Sequence, residues 1–144
     1  MSIEFWHHHI GVSVPDLEAS IEWYGRMLGF RLERRLELPQ VPAKIAVLRN
    51  GPMHIELFEV QGAAALPEQR RVPDEDLKTH GNKHGCFAVA DAIAVADELR
   101  ARGADVVWAK KFPNGGANCF IRDNAGNLIE FMQAPRFPEA TGTL

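Results

Sequence analysis

Two histidines and two glutamates, all residue types that hold divalent metal ions, recur at matched places in this sequence. His9 opens the run His-Ile-Gly-Val-Ser-Val-Pro-Asp16, and seventy-five positions later His84 opens His-Gly-Cys-Phe-Ala-Val-Ala-Asp91. In both runs Val stands five residues after His (Val14, Val89) and Asp seven after (Asp16, Asp91). Ile55-Glu56-Leu57 likewise recurs as Ile129-Glu130-Phe131, seventy-four positions on. A duplicated unit with His early and Glu late offers His9, Glu56, His84 and Glu130 as four ligands for one class of chemistry. A carboxylate set among Ile, Leu and Phe, as Glu56 is, needs a partner, because burying an unpaired charge is costly; an Arg or a metal would serve.

The elements that must position these residues follow from periodicity. Ile3 to Val14 reads as a strand, with His7, His9, Gly11 and Ser13 on one face and His8, Ile10, Val12 and Val14 on the other, more apolar one. That second face packs beneath a helix and leaves His9 on the opposite side, with His7 and His8 as strand-end residues. Asp16 caps the helix, Leu17, Ile21, Tyr24 and Leu28 form its apolar stripe, and Gly29 ends it. Phe30 to Leu38 alternates strictly, so Phe30, Leu32, Arg34, Leu36 and Leu38 are expected on one face, with Arg34 as a snorkelling side chain at a sheet edge. Lys44 to Leu48 and Met53 to Val60 complete a β-α-β-β-β order, and His54, Glu56 and Phe58 share a face of the last strand.

The order then repeats. His84 to Val89 is a strand, Asp91 caps a helix running to about Arg102, and Gly103 ends it. Strands are expected over Asp105 to Ala109, Asn118 to Arg122 and Asn127 to Gln133, with a loop from Lys110 to Ala117 placed to move over a ligand. Module one covers about 5–60, a connector 61–83, module two 84–133 and a tail 134–144, all within one domain. The connector, rich in Pro and mixed charge, is long enough to cover a cavity or embrace a second subunit.

Composition bounds the function. With 46% hydrophobic and 24% charged residues, the chain is ordinary for a soluble globular protein and excludes wholesale disorder. The net charge of -3 and scattered Lys and Arg argue against a nucleic-acid partner, and no apolar run approaches membrane-spanning length. The N-terminal stretch has no signal-like pattern, so a cytoplasmic location is expected. Cys86 and Cys119 are too few for a disulfide framework and are read as small buried side chains.

Three stretches together resemble the vicinal oxygen chelate superfamily of glyoxalases, epimerases, extradiol dioxygenases and bleomycin resistance proteins: His9 through Trp23-Tyr24 to Leu28-Gly29-Phe30; His84 with Val89; and Asp123-Asn-Ala-Gly-Asn-Leu-Ile-Glu130-Phe. The resemblance implies an α+β fold of two tandem βαβββ modules forming a cup-shaped, partly closed mixed sheet around a divalent metal. It places the ligands on His9, Glu56, His84 and Glu130, and makes Glu56 and Glu130 the candidates for a carboxylate alternating between ligand and base. Two imidazoles and two carboxylates suit Zn, Ni, Co, Mn or Fe(II) without selecting among them. The implied activity is a lyase or isomerase acting on a small carbonyl substrate, in a homodimer. A dioxygenase using His9 or His54 with His84 and Glu130, or a drug-binding protein without catalysis, are the alternatives. Arg34, Lys44, Arg49, Lys110 and Lys111 are read as solvated surface charge.

Overall fold

The computed structural model describes residues 3–135, so most of the expected tail, from 136 on, lies outside the described residues. The chain divides into two compact units between Ala65 and Leu66. Unit one runs β1 (Ile10–Ser13), α1 (Leu17–Leu28), β2 (Arg31–Leu38), β3 (Ala43–Asn50) and β4 (Met53–Val60). Unit two opens with a 3-10 turn at Glu68–Arg71 and the short α2 (Pro73–Asp76). It continues with β5 (Gly85–Val89), α3 (Ala92–Ala101), β6 (Asp105–Lys111), β7 (Ala117–Arg122) and β8 (Leu128–Gln133). No helix among the described residues is long and apolar enough to cross a membrane.

Each unit builds one four-stranded sheet with the same wiring, β1-β4-β3-β2 in the first and β5-β8-β7-β6 in the second. The first strand runs parallel to the last, and the other pairs are antiparallel. This is the expected βαβββ module, made twice, in an α+β fold.

The helices form where the sequence supplies their ends. Asp16 accepts from the Ala19 N–H at 2.9 Å, and Gly29 closes α1 in the left-handed conformation, at φ 71°. Between these ends Leu17, Trp23, Tyr24 and Met27 are buried. Asp91 caps α3 by accepting from Ile93 and Ala94, both at 2.9 Å, and Ala92, Ala96 and Leu99 face inward.

Three expectations change. The first strand is only Ile10–Ser13; residues 3–9 lie before it and are exposed, because β4 offers ladder partners only from Ile55 to Phe58. The perfect alternation of β2 is broken by a bulge: Leu32 pairs with Leu48 but Arg34 with Val47, so Glu33 has no opposite number. Leu32 therefore shares the face of Leu48 and Ala46, while Arg34, Leu36 and Leu38 turn to the face of Val47, Ile45 and Ala43. All of β2 is exposed, with Leu32, Leu36 and Leu38 at 42, 40 and 36%. A bulge recurs in β6, where Val106 pairs with Ile121 and Trp108 with Phe120, passing over Val107. Third, Lys110 and Lys111 belong to β6, paired with Asn118 and Ala117, which shortens the expected loop to 112–116.

The connector is largely part of unit two. Asp76 is buried, forms an ion pair with Arg70 and lies 3.5 Å from the Lys83 amine. Arg122 donates to the Arg71 carbonyl at 2.7 Å. The Arg71 side chain lies against the turn before β8, where a Cβ on Gly126 would come within 2.7 Å of its Nε.

Candidate metal centre

Each module brings its own histidine to its own glutamate. In module one, Gly11 is opposite Glu56 in the parallel β1/β4 ladder, so His9, two residues earlier, lies on the glutamate's face. Its Nε2 stands 3.1 Å from Glu56 Oε2. In module two Cys86 is opposite Glu130, and His84 Nε2 stands 3.0 Å from Glu130 Oε2. The pairs differ in enclosure: the His9 and Glu56 side chains are 38% and 18% exposed, those of His84 and Glu130 only 19% and 10%.

Among the described residues neither glutamate takes an Arg or Lys as its ion-pair partner; each takes its histidine. Of the nearby cations, Lys44, Arg49 and Lys110 are engaged elsewhere. Lys44 meets Glu59 at 3.2 Å, and Arg49 donates to the Gly51 carbonyl at 2.8 Å. Lys110 covers the Trp108 ring at 3.5 Å, a cation–π contact. Arg34 is exposed on the Val47 face, beyond the bulge. His54, on the Glu56 face, lies 3.6 Å from Glu33 and stacks on His8 at 5.9 Å.

Around Glu130 the second module adds Asn118 and Phe120, which sequence reading overlooked, beside Cys86, whose place on the His84 face the alternation gives. Asn118 donates from Nδ2 to Glu130 Oε1 at 2.9 Å and is buried. Phe120, opposite Glu130 in the β7/β8 ladder, meets the His84 ring edge-on at 4.7 Å and the Trp108 ring at 5.1 Å. Cys119 is fully buried, as expected, but Cys86 is exposed on the Glu130 face. Partial burial of its sulfur, and next the Glu130 charge and hydrogen bond, push the Cys86 thiol up to about 11. Asn118 carried one available signal, its strand parity with Phe120, the residue opposite Glu130.

The donor chemistry fits a divalent ion. The His–Glu separations of 3.1 and 3.0 Å are hydrogen-bond distances, and they are also close to the roughly 3.0–3.4 Å between two ligands about 2.1 Å from a common ion. Each pair supplies two donors; among the described residues no group of three or more His, Cys, Asp or Glu side chains is gathered to hold an ion.

Comparison with known proteins decides the family. The model of the Glyoxalase/Bleomycin resistance protein/Dioxygenase superfamily matches residues 6–131. The chain belongs to that superfamily. Among its relatives in this glyoxalase superfamily is a 2-epi-5-epi-valiolone epimerase from Actinomyces sp., 34% identical over 110 residues that cover 66% of the chain. The match takes in 57% of that relative, so the chain spans little more than half its length. A lactoylglutathione lyase of Haemophilus influenzae is 30% identical over 129 residues, covering 87% of the chain and 90% of the relative. The crystal structure of a glyoxalase family protein from Enterococcus faecalis superposes with a TM-score of 0.74 at 21% identity, over 89% of this chain and 97% of that one, and so shows the same fold.

Proposed function

We propose that this chain is a metal-dependent lyase or isomerase of glyoxalase type, and that His9, Glu56, His84 and Glu130 together hold one divalent ion. The observation that carries the reading is the pairing itself: in both modules the glutamate nearest the first strand is partnered by an imidazole at ligand spacing and by no Arg or Lys. The lyase and epimerase among the relatives support the reaction class. A bound ion would supply Lewis acidity toward the substrate's oxygen. The residues supply the rest. A glutamate takes the proton from the carbon beside a carbonyl and returns it to the same or the neighbouring carbon, which covers isomerisation, epimerisation and, when a group leaves, lyase chemistry. The imidazoles share the ion with the carboxylates, and the Trp108–Phe120 ring pair beside His84 limits water there. The reading includes a small carbonyl substrate and a homodimer, and leaves open whether both modules of a site come from one chain.

The deciding experiment is metal analysis by mass spectrometry on tag-free protein beside His84→Ala and Glu130→Ala, all three shown to be folded. Near-stoichiometric zinc, nickel, cobalt or manganese in the wild type, lost in both variants, is the expected result. Protein that stays empty after soaking in each ion would end the catalytic reading. Iron with oxygen uptake on a catechol would replace it with ring cleavage.

A further inference from the structure

The Glu130 face of the second sheet carries polar groups that the metal centre leaves unused. Lys110 lies opposite Asn118 in the β6/β7 ladder, and Asn118 lies opposite Met132 in β7/β8. These residues form the row next to that of Glu130, Phe120 and Trp108, about 7 Å further along the strands. Three atoms in this corner have no hydrogen-bond partner among the described residues. Asn118 is 8% exposed and donates from Nδ2 to Glu130, but its Oδ1 is buried and unpaired. The Trp108 Nε1–H is buried and unpaired as well. The Lys110 ammonium, on an exposed side chain, meets no carboxylate and rests over the Trp108 ring at 3.5 Å. Module one has Leu36 and Ile45 at the register of Lys110 and Asn118, so this corner belongs to module two alone.

We propose that Lys110, Trp108 and Asn118 form a subsite for the far end of the substrate, and that the substrate is a small hydroxylated carbonyl compound bearing a carboxylate or phosphate a few bonds from the carbonyl. The proposal rests on the metal-dependent reading above and adds to it the substrate class. A donor and an acceptor shut away from both water and protein each cost free energy, and a ligand that completes both removes that cost. The indole N–H can only donate, and so matches an oxyanion; Asn118 Oδ1 can only accept, and so matches a hydroxyl. Lys110 supplies the opposite charge. Its contact with the ring is a weak one for an exposed cation, and a charge-assisted bond to an oxyanion replaces it, drawing the lysine aside and opening the indole and the amide to the ligand.

The test follows the Trp108 indole N–H by nitrogen–proton NMR, its peak assigned by its loss in Trp108→Phe, in metal-free and then in cobalt-loaded full-length protein. Dihydroxyacetone phosphate and 5-hydroxy-4-oxopentanoate supply the two oxyanions, and dihydroxyacetone and the methyl ester of the second compound are their neutral counterparts. At least one anion is expected to move the peak and to bind about ten- to a hundredfold more tightly than its counterpart, and which one does so separates phosphate from carboxylate. Lys110→Met should erase that preference. Lys111→Met, paired with Ala117 on the opposite face, should keep it. Asn118→Leu should weaken the preferred anion about fivefold. If neither anion moves the Trp108 peak, or Lys110→Met binds as wild type does, the subsite is overturned, and metal content alone still decides the metal reading. Wild-type protein that takes up no cobalt yet keeps the anion preference would end the metal reading and the substrate assignment with it, leaving an anion site.

Discussion

The two modules share wiring, helix caps, a bulge in the outer antiparallel strand and a His–Glu pair on the same face, yet they differ at nearly every position around that pair. Where module one has Gly11, Ile45, Val47 and Arg34, module two has Cys86, Asn118, Phe120 and Trp108 at the same register. Duplication has kept the backbone that aims the histidine and the glutamate, while the neighbours that decide how firmly the glutamate is held have diverged. The frame is symmetric, and the surroundings of the two His–Glu pairs are not.

The comparison can be broken most severely at the connector, which only module two incorporates. Asp76→Ala leaves Arg70 and Lys83 half-buried without their shared anion. Loss of one partner from a buried pair costs roughly 3–5 kcal/mol, and urea unfolding should report a loss of about 3 kcal/mol. A smaller effect comes from the turns before the last strands. Gly126 has φ 90° and the Arg71 guanidinium directly over the missing side chain, whereas Gly51 has φ 57° and nothing within 4 Å. Gly126→Ala should cost about 2 kcal/mol and Gly51→Ala about 1 kcal/mol by chemical denaturation, since left-handed backbone alone costs roughly 1–2 kcal/mol. Equal losses would show that Arg71 moves aside freely.

The smallest predicted effect depends on pH. The Leu17 N–H at the start of α1, and next Lys44, hold the Glu59 carboxyl below its ordinary value of 4.5, and module two has Gln133 at that position. A depressed carboxylate stabilises the fold above its unfolded pKa, and that contribution is lost as pH falls through the folded one. Glu59→Gln should therefore lower the melting temperature slightly at neutral pH and flatten its decline below about pH 4.5, while the same scan on Gln133→Ala shows no change in the acid limb.

Much of this was legible in the sequence, for identifiable reasons. His9, Glu56, His84 and Glu130 stand out because polar residues in apolar strands are few and the repeat doubles each one. Asp16, Asp91 and Gly29 mark helix ends by local chemistry that needs no tertiary context. The bulge in β2 was hidden because Phe30 to Leu38 alternates perfectly; which residue goes unpaired is decided by β3, not by β2 itself. Asn118 was hidden too: it reads as the first residue of its strand, and only the register with β8 sets it beside Glu130. Asp76, Arg70 and Lys83 were legible only as members of a mixed-charge connector, and its packing alone encloses them.

The bulge at Glu33 has a second consequence, for solubility. β2 is the outermost strand of its sheet and is exposed along its whole length, with leucines on both faces. Such a strand is a template on which another chain can extend the sheet, the first step of uncontrolled aggregation. One residue without an opposite number twists the edge and spoils the even spacing of its free N–H and C=O groups, so an incoming strand cannot stay in step past Leu32. The same irregularity turns Arg34 toward the glutamate's face.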